Sequence, residues 1–209
     1  MFTLIDLTQT LSAESLSYPG TVPAWTAERL EIEDPKVTVT RFSGFEAHAG
    51  THLDAPLHFA PGGQDVADLP LRLLRAIVVP IDGARIGVAS VPADCAGCAV
   101  LLSTGWEDRA GTRAYYEGFP SMTPEAAALL VDRGVALVGL DGPSVDGADA
   151  APAHPVHDIL CGAGVPIVEG LVNLRTLLSM QGEILFAAFP LKLRGIEGSP
   201  VRAVALVRA

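Results

Sequence analysis

An α/β fold with a central sheet covered by helices is predicted by three observations. Short, continuously apolar runs recur along the chain from residue 77 onward; helical patterns with start and stop signals stand between them; and the composition supplies one sizeable core. The runs fall at residues 77–81, 100–103, 135–140, 165–168, 184–189 and 201–207. A strand that is apolar on both faces must be covered on both, so these runs imply helices packed against the sheet.

Each element has a local reason. Residues 2–7 alternate weakly and read as a short strand, followed by a Ser-rich turn and by Ser17-Tyr18-Pro19-Gly20, a turn by its Pro-Gly pair. Tyr18 and Trp25 flank this turn; they either cap the core or, at least one of them, form a flat wall for an aromatic substrate. Residues 37–45, rich in β-branched and aromatic side chains, read as a strand leading directly into His48. Thr123-Pro124-Glu125 opens a helix, with Thr as N-cap, Pro at the first helical position and Glu facing the positive end of the dipole. Ala127, Leu130 and Val131 line its apolar side and Gly134 ends it. Pro155 starts a second helix running to about Cys161, stopped by Gly162 and Gly164, and residues 174–180 form a third.

The 209 residues, 49% of them apolar with a mean hydropathy of +0.37, fit one domain over 1–209, with no linker or internal repeat. A formal charge of −10 and no basic run exclude nucleic acid and anionic membrane as partners. No basic leader and no apolar window of ~20 residues is present, so a cytoplasmic location is expected. Three cysteines are an odd number and too few for a disulfide scaffold; Cys95-Ala96-Gly97-Cys98 reads as a turn with reduced thiols.

The stretch that carries chemistry is His48-Ala-Gly-Thr-His52-Leu-Asp54-Ala-Pro56-Leu-His58. By parity His48, His52, Asp54 and His58 share one side. In a straight strand at ~3.3 Å per residue the outer two would stand roughly 33 Å apart, whereas metal bonds are ~2 Å long. The segment must therefore bend, and Gly50 and Pro56 are the places where it can; the expected form is a curved, buried loop or strand end.

All five histidines lie in two clusters, His48, His52 and His58 in the first and His154 and His157 in the second. Glu169 ends the run Val165-Pro-Ile-Val, at the carboxyl end of a buried strand, where α/β sheets tend to place their sites. His157, in the preceding helix, can be brought to it by the returning strand. His154, just before Pro155, is expected to start the helix rather than to bind a ligand. Imidazole nitrogen with carboxylate oxygen and no thiolate suits Zn²⁺, Mn²⁺ or Fe²⁺. The redox-free use of such a site is to lower the pKa of a bound water toward ~7. Gly-x-Ser-x-Gly, His-Glu-x-x-His and the phosphate- and dinucleotide-binding glycine motifs are absent from the sequence.

The stretch from His48 to His58 resembles the cyclase family of metal-dependent hydrolases, which includes bacterial kynurenine formamidases and isatin hydrolases. The likeness extends to Asp6-Leu-Thr, Tyr18-Pro-Gly, Ser103-Thr-Gly-Trp106, Gly139-Leu-Asp-Gly-Pro-Ser-Val-Asp146, Gly162-Ala-Gly-Val-Pro-Ile-Val-Glu169 and Pro190-Leu-Lys-Leu-Arg-Gly-Ile-Glu-Gly-Ser-Pro200-Val-Arg. It implies a swivelling β/β/α fold, a homo-oligomer (dimer or tetramer), and one or two divalent ions per chain, zinc or manganese. His48, His52 and Asp54 would bind metal, Asp54 to one ion or as a bridge between two; His157 would bind the second ion, Glu169 would bridge or complete the set, and His58 would be the general acid/base. The implied reaction is hydrolysis of a non-peptide C–N bond in a small amide. N-formylkynurenine, giving kynurenine and formate in tryptophan catabolism, is the first substrate; opening of a cyclic amide, or lactone hydrolysis or cyclisation at the same site, are the alternatives. Kynurenine formamidases resemble Trp-Pro-Gly-Asp where this chain has Tyr18-Pro19-Gly20-Thr21; Tyr18 can still stack on an aromatic substrate, but with a smaller ring and a hydroxyl.

Overall fold

The computed structural model describes residues 1–12, 14–18, 22–23, 25–33 and 36–208. Its strands are β1 (Phe2–Asp6), β2 (Leu16–Ser17), β3 (Val22–Pro23), β4 (Thr26–Leu30), β5 (Val39–Ser43), β6 (His52–Asp54), β7 (Leu74–Pro80), β8 (Arg85–Ile86), β9 (Ala99–Ser103), β10 (Ser121–Met122), β11 (Leu137–Leu140), β12 (Ile167–Glu169), β13 (Glu183–Pro190) and β14 (Gly198–Arg208). The α-helices are α1 (Pro124–Asp132), α2 (Pro155–Gly162) and α3 (Leu174–Leu178).

Eight strands form one mixed sheet in the order β1-β14-β13-β7-β9-β11-β12-β6. Strands β7, β9, β11 and β12 run parallel to one another, and the other pairings within this sheet are antiparallel. β6 pairs on its other side with β14, through Gly198, Ser199 and Pro200, so the sheet closes into a barrel. The sequence predicts seven of these strands and reads the β6 segment as a curved loop or strand end; it does not predict the closure, which depends on pairings between residues far apart in the chain.

Alternation along the strands sorts the core into two clusters. Val100, Leu102, Val138, Leu140 and Ile167 pack with Ala126 and Leu130 of α1 and Val156 and Leu160 of α2. Ala99, Leu101, Leu137 and Val168 pack with Leu53, Phe186 and Ala205 and with Leu174 and Leu177 of α3. The start of α1 is as its sequence predicts: Thr123 Oγ1 accepts the Ala126 N–H at 3.2 Å.

The strand predicted at 37–45 is present as β5, but it pairs only with β4, in a hairpin outside the main sheet. All five β5 residues are exposed, because β-rich composition signals a strand without saying which face is covered. Trp25 belongs to this hairpin: its ring centroid lies 4.8 Å from that of Phe42, and its Nε1–H donates to the Ser12 carbonyl at 2.6 Å. The predicted turn at Pro19-Gly20 lies outside the described residues. Cys95, Cys98 and Cys161 are buried free thiols, and no helix among the described residues is long and apolar enough to cross a membrane.

Candidate active site

The His48–His58 stretch bends twice, as its Gly and Pro predict. His48 sits in a turn, Gly50 takes φ +61°, His52–Asp54 form β6, and Pro56–His58 make a 3₁₀ turn. The bend at Gly50 is tied down by Thr51, whose hydroxyl donates to the Gly170 carbonyl at 2.6 Å and accepts the Gln9 N–H at 2.8 Å. Strand register then brings in the other elements: His52 stands opposite Glu169 of β12, and Asp54 opposite Gly198 of β14. Glycine is required at 198, where a Cβ would come within 2.7 Å of His48 Nε2.

His157 arrives on the first turn of α2. Asp146 accepts the Val156 and His157 backbone N–H groups at 3.1 and 3.0 Å and His157 Nδ1–H at 2.7 Å, so one carboxylate caps the helix and orients the ring. His154 does stand at the start of the helix, with φ +39°, but its side chain caps nothing.

The three inner imidazoles are arranged alike. His48 Nδ1 meets Glu46 Oε1 at 3.3 Å, His52 Nδ1 the Gly50 carbonyl at 2.9 Å, and His157 Nδ1 the Asp146 carboxylate. Those acceptors place each ring's proton on Nδ1 and turn its Nε2 lone pair inward. Inward they face carboxylates: His48 Nε2 is 3.3 Å and His52 Nε2 3.5 Å from Asp54 Oδ1. His52 Nε2 is also 3.5 Å from Glu169 Oε2, and His157 Nε2 is 3.5 Å from Glu169 Oε1 and 3.7 Å from Asp54 Oδ2. Glu169 Oε1 additionally accepts the Val145 N–H at 2.8 Å.

Lone pairs facing carboxylate oxygens repel unless a cation or a proton lies between them. Both oxygens of Asp54, and His48 Nε2, are buried without a hydrogen-bond partner, which is costly for a buried anion. Tetrahedral bonds of ~2.0–2.1 Å give donor–donor edges of roughly 3.3–3.4 Å, close to the separations above. The residues therefore fit a divalent cation. Proton affinities report the same demand. Burial alone would depress His52, but Asp54 and Glu169 push it up to about 9; burial opposes His157 too, but Asp146, Asp54 and Glu169 push it up to about 12. Burial disfavours the Asp54 and Glu169 anions, yet the histidines around them hold both below the ordinary carboxylate range.

His58 stands apart from this pattern. Its ring centroid is 4.4 Å from that of His48 and 5.7 Å from that of His157. Burial holds its imidazole below the ordinary value, against the pull of Asp54.

The structure brings all the sequence-predicted residues, Tyr18, His48, His52, Asp54, His58, His157 and Glu169, to one cavity of about 280 Å³. Sequence reasoning gives no role to Glu46, Phe59 and Ser144 in its wall or to Asp146 behind it, and it gives His154 only the start of the helix. Asp146 lies eleven positions before His157, in a loop outside α2, so no helical or strand periodicity relates the two and only the fold reveals the pair.

A closed mixed sheet carrying a buried histidine–carboxylate centre at one cavity defines a metal-binding enzyme. The chain belongs to the Cyclase family, whose sequence model, described as putative cyclase, matches residues 5–147. It is 34% identical to a kynurenine formamidase of Geobacillus thermodenitrificans, covering 95% of both chains. Isatin hydrolase A from Ralstonia solanacearum has the same fold, with a TM-score of 0.82 at 29% identity over 99% of this chain and 92% of that one. A solved chain described as a potential metal-dependent hydrolase with cyclase activity superposes with a TM-score of 0.81 at 27% identity, covering 100% of both. With the site, these likenesses make the chain a metal-dependent amidohydrolase.

Proposed function

We propose that the chain hydrolyses the amide of a small N-acylated aryl amine, with N-formylkynurenine, cleaved to kynurenine and formate, as its first substrate. The observation that carries the reading is the set of three inward Nε2 atoms around two buried carboxylates. Full-length likeness to a kynurenine formamidase supports the substrate, and likeness to isatin hydrolase A keeps cyclic amide opening as the second reading.

His48, His52 and Asp54 would hold one ion, zinc or manganese, and His157 and Glu169 would complete the set or hold a second. When bound, a divalent cation polarises the amide carbonyl and lowers the pKa of water toward ~7. His58 accepts no hydrogen bond that would occupy its lone pair among the described residues and is held neutral by burial, so it serves as a base near neutral pH. It takes a proton from the attacking water onto its imidazole and returns it to the leaving nitrogen. Tyr18, 40% exposed at the cavity rim, offers its ring face to the aryl group.

The protein would act in the cytoplasm as a homo-oligomer. Three free thiols fit a reducing compartment. The β4–β5 hairpin leaves Val39 and Phe42 exposed, and an isolated two-stranded hairpin is marginal without packing against something further.

The test is hydrolysis of N-formylkynurenine by chelator-stripped protein, with zinc or manganese added back. Turnover that returns only with metal is expected. Bound metal with no turnover would move the substrate to isatin-like cyclic amides.

A further inference from the structure

The backbone of His154 is fully accounted for, and its side chain is not. The residue holds φ +39° and ψ +55°, a left-handed conformation that costs free energy for any residue with a Cβ and persists only where the surroundings impose it. Its N–H donates to the Ala150 carbonyl at 3.1 Å, and its carbonyl accepts the Asp158 N–H at 3.1 Å. The imidazole has no such task. Asp146 caps α2 in its place, and no hydrogen bond to the ring is found among the described residues.

The half-buried ring forms part of the catalytic cavity's wall, edge-on to Phe59 with centroids 5.6 Å apart. One of its nitrogens lies within 4.8 Å of a His157 nitrogen and an Asp146 oxygen. Asp146 is already committed to His157 and the start of α2, so it does not compete for that nitrogen.

Resting on the aryl amide reading above, we infer that His154 is a specificity residue, donating a hydrogen bond to a carbonyl on the ring carbon ortho to the scissile amide. N-formylkynurenine and isatin both carry an acylated aryl nitrogen, and both carry a carbonyl on the neighbouring ring carbon. That carbonyl stands a few bonds from the reacting amide, so its donor belongs beside the ligand set but outside it. His48, His52 and His157 have their Nδ1–H engaged, and His58 handles the reaction's proton. His154 and Ser144 are the polar side chains of the inner wall with no such assignment. His154 is the one that the backbone is strained to hold in place.

The experiment compares N-formylkynurenine with formanilide, which has the same scissile bond and no ortho carbonyl. Wild type, His154→Gly, His154→Asn and Ser144→Ala are measured fully metal-loaded, with metal content and Tm recorded. Gly and Asn both accept the left-handed backbone, so the fold is kept. For His154→Gly, KM for N-formylkynurenine should rise about tenfold, the worth of one good hydrogen bond. Its kcat, and both constants for formanilide, should change by less than about threefold. His154→Asn, with a shorter donor, should lose less. Equal losses on both substrates, no loss on either, or selectivity lost in Ser144→Ala instead would overturn the inference. So would a wild type that does not favour the ortho-carbonyl substrate. A wild type that cleaves neither substrate overturns the aryl amide reading itself, and this inference with it, before any variant is compared.

Discussion

Two cavities share the three-residue strand β6 and differ in what they can do. The larger, about 410 Å³, takes Leu53 from that strand and is walled by Val66, Leu69, Leu137, Phe186 and Ala188, with Gln64, Arg72 and Lys192 among its few polar side chains. The smaller, about 280 Å³, takes His52 and Asp54, and Glu46, His48, His58, His154, His157 and Glu169 converge on it. Side chains alternate along a strand, so neighbouring residues of β6 are delivered to different environments. The lesson is that chemistry follows the convergence of donors rather than the amount of space.

The two cavities separate most sharply at Asp54, the carboxylate that His48, His52 and His157 all face. Asp54→Ala should abolish metal retention after dialysis, read by elemental analysis, and cut turnover by about 10³-fold or more. His58→Ala should cut turnover by ~10²–10⁴-fold while metal content stays at the wild-type level. If His58→Ala strips the metal and Asp54→Ala does not, the two roles are exchanged.

Removing the metal should make the smaller cavity's stability depend on pH. In metal-free protein His52 is raised from 6.5 to about 9. A raised folded-state pKa contributes stability that is fully present below the unfolded value and lost as pH rises through the folded one. The Tm of chelated protein should therefore fall as pH rises above about 6.5, the His52 share being lost by about pH 9 and the share of His157, raised to about 12, at higher pH, and added zinc should remove the fall. Zinc binding at pH 7.5 should also release protons, measurable as a dependence of binding heat on the buffer. A metal-free Tm that stays level across this range would show that His52 is not carrying the proton.

A smaller effect is expected behind the site. Asp146→Ala should weaken metal binding by about 10–100-fold, since it removes the acceptor that fixes His157. It should also cost ~1 kcal/mol of stability through the lost helix cap. Asp146→Asn keeps a cap acceptor and separates the two losses: stability near wild type with weakened metal binding is the expected result.

Much of this was legible in the sequence, for particular reasons. The strands around Val100, Val138 and Val168 are continuous apolar runs, and a strand buried on both faces can hardly look otherwise. The cavity residues from His48 to His58 are close in sequence, and the Gly and Pro between them announce the bends. The barrel's closure was hidden because β6 has three residues, too few for a period, and its partners Glu169 and Gly198 are more than a hundred positions away. Asp146 was hidden for the same reason, as an isolated carboxylate whose partner is chosen by the fold. The exposure of β5 was hidden because Val39 and Phe42 would read identically in a core.

The last test is the mildest and separates the two cavities by what filling them does. Ala188 lies on β13 against the second core cluster and lines the larger cavity. Ala188→Val adds apolar volume where space exists and suits a strand better, so it should stabilise the fold by about 0.5–1 kcal/mol, or about 1–4 °C in Tm. Its kcat and KM should match wild type, because no group that touches the metal centre moves. The same kind of filling in the smaller cavity, Ser144→Val, should instead raise KM with little change in Tm, since it occupies space the substrate needs. If Ala188→Val altered turnover as well, the larger cavity would be coupled to the reaction through Leu53, and β6 would transmit strain between the two cavities instead of dividing them.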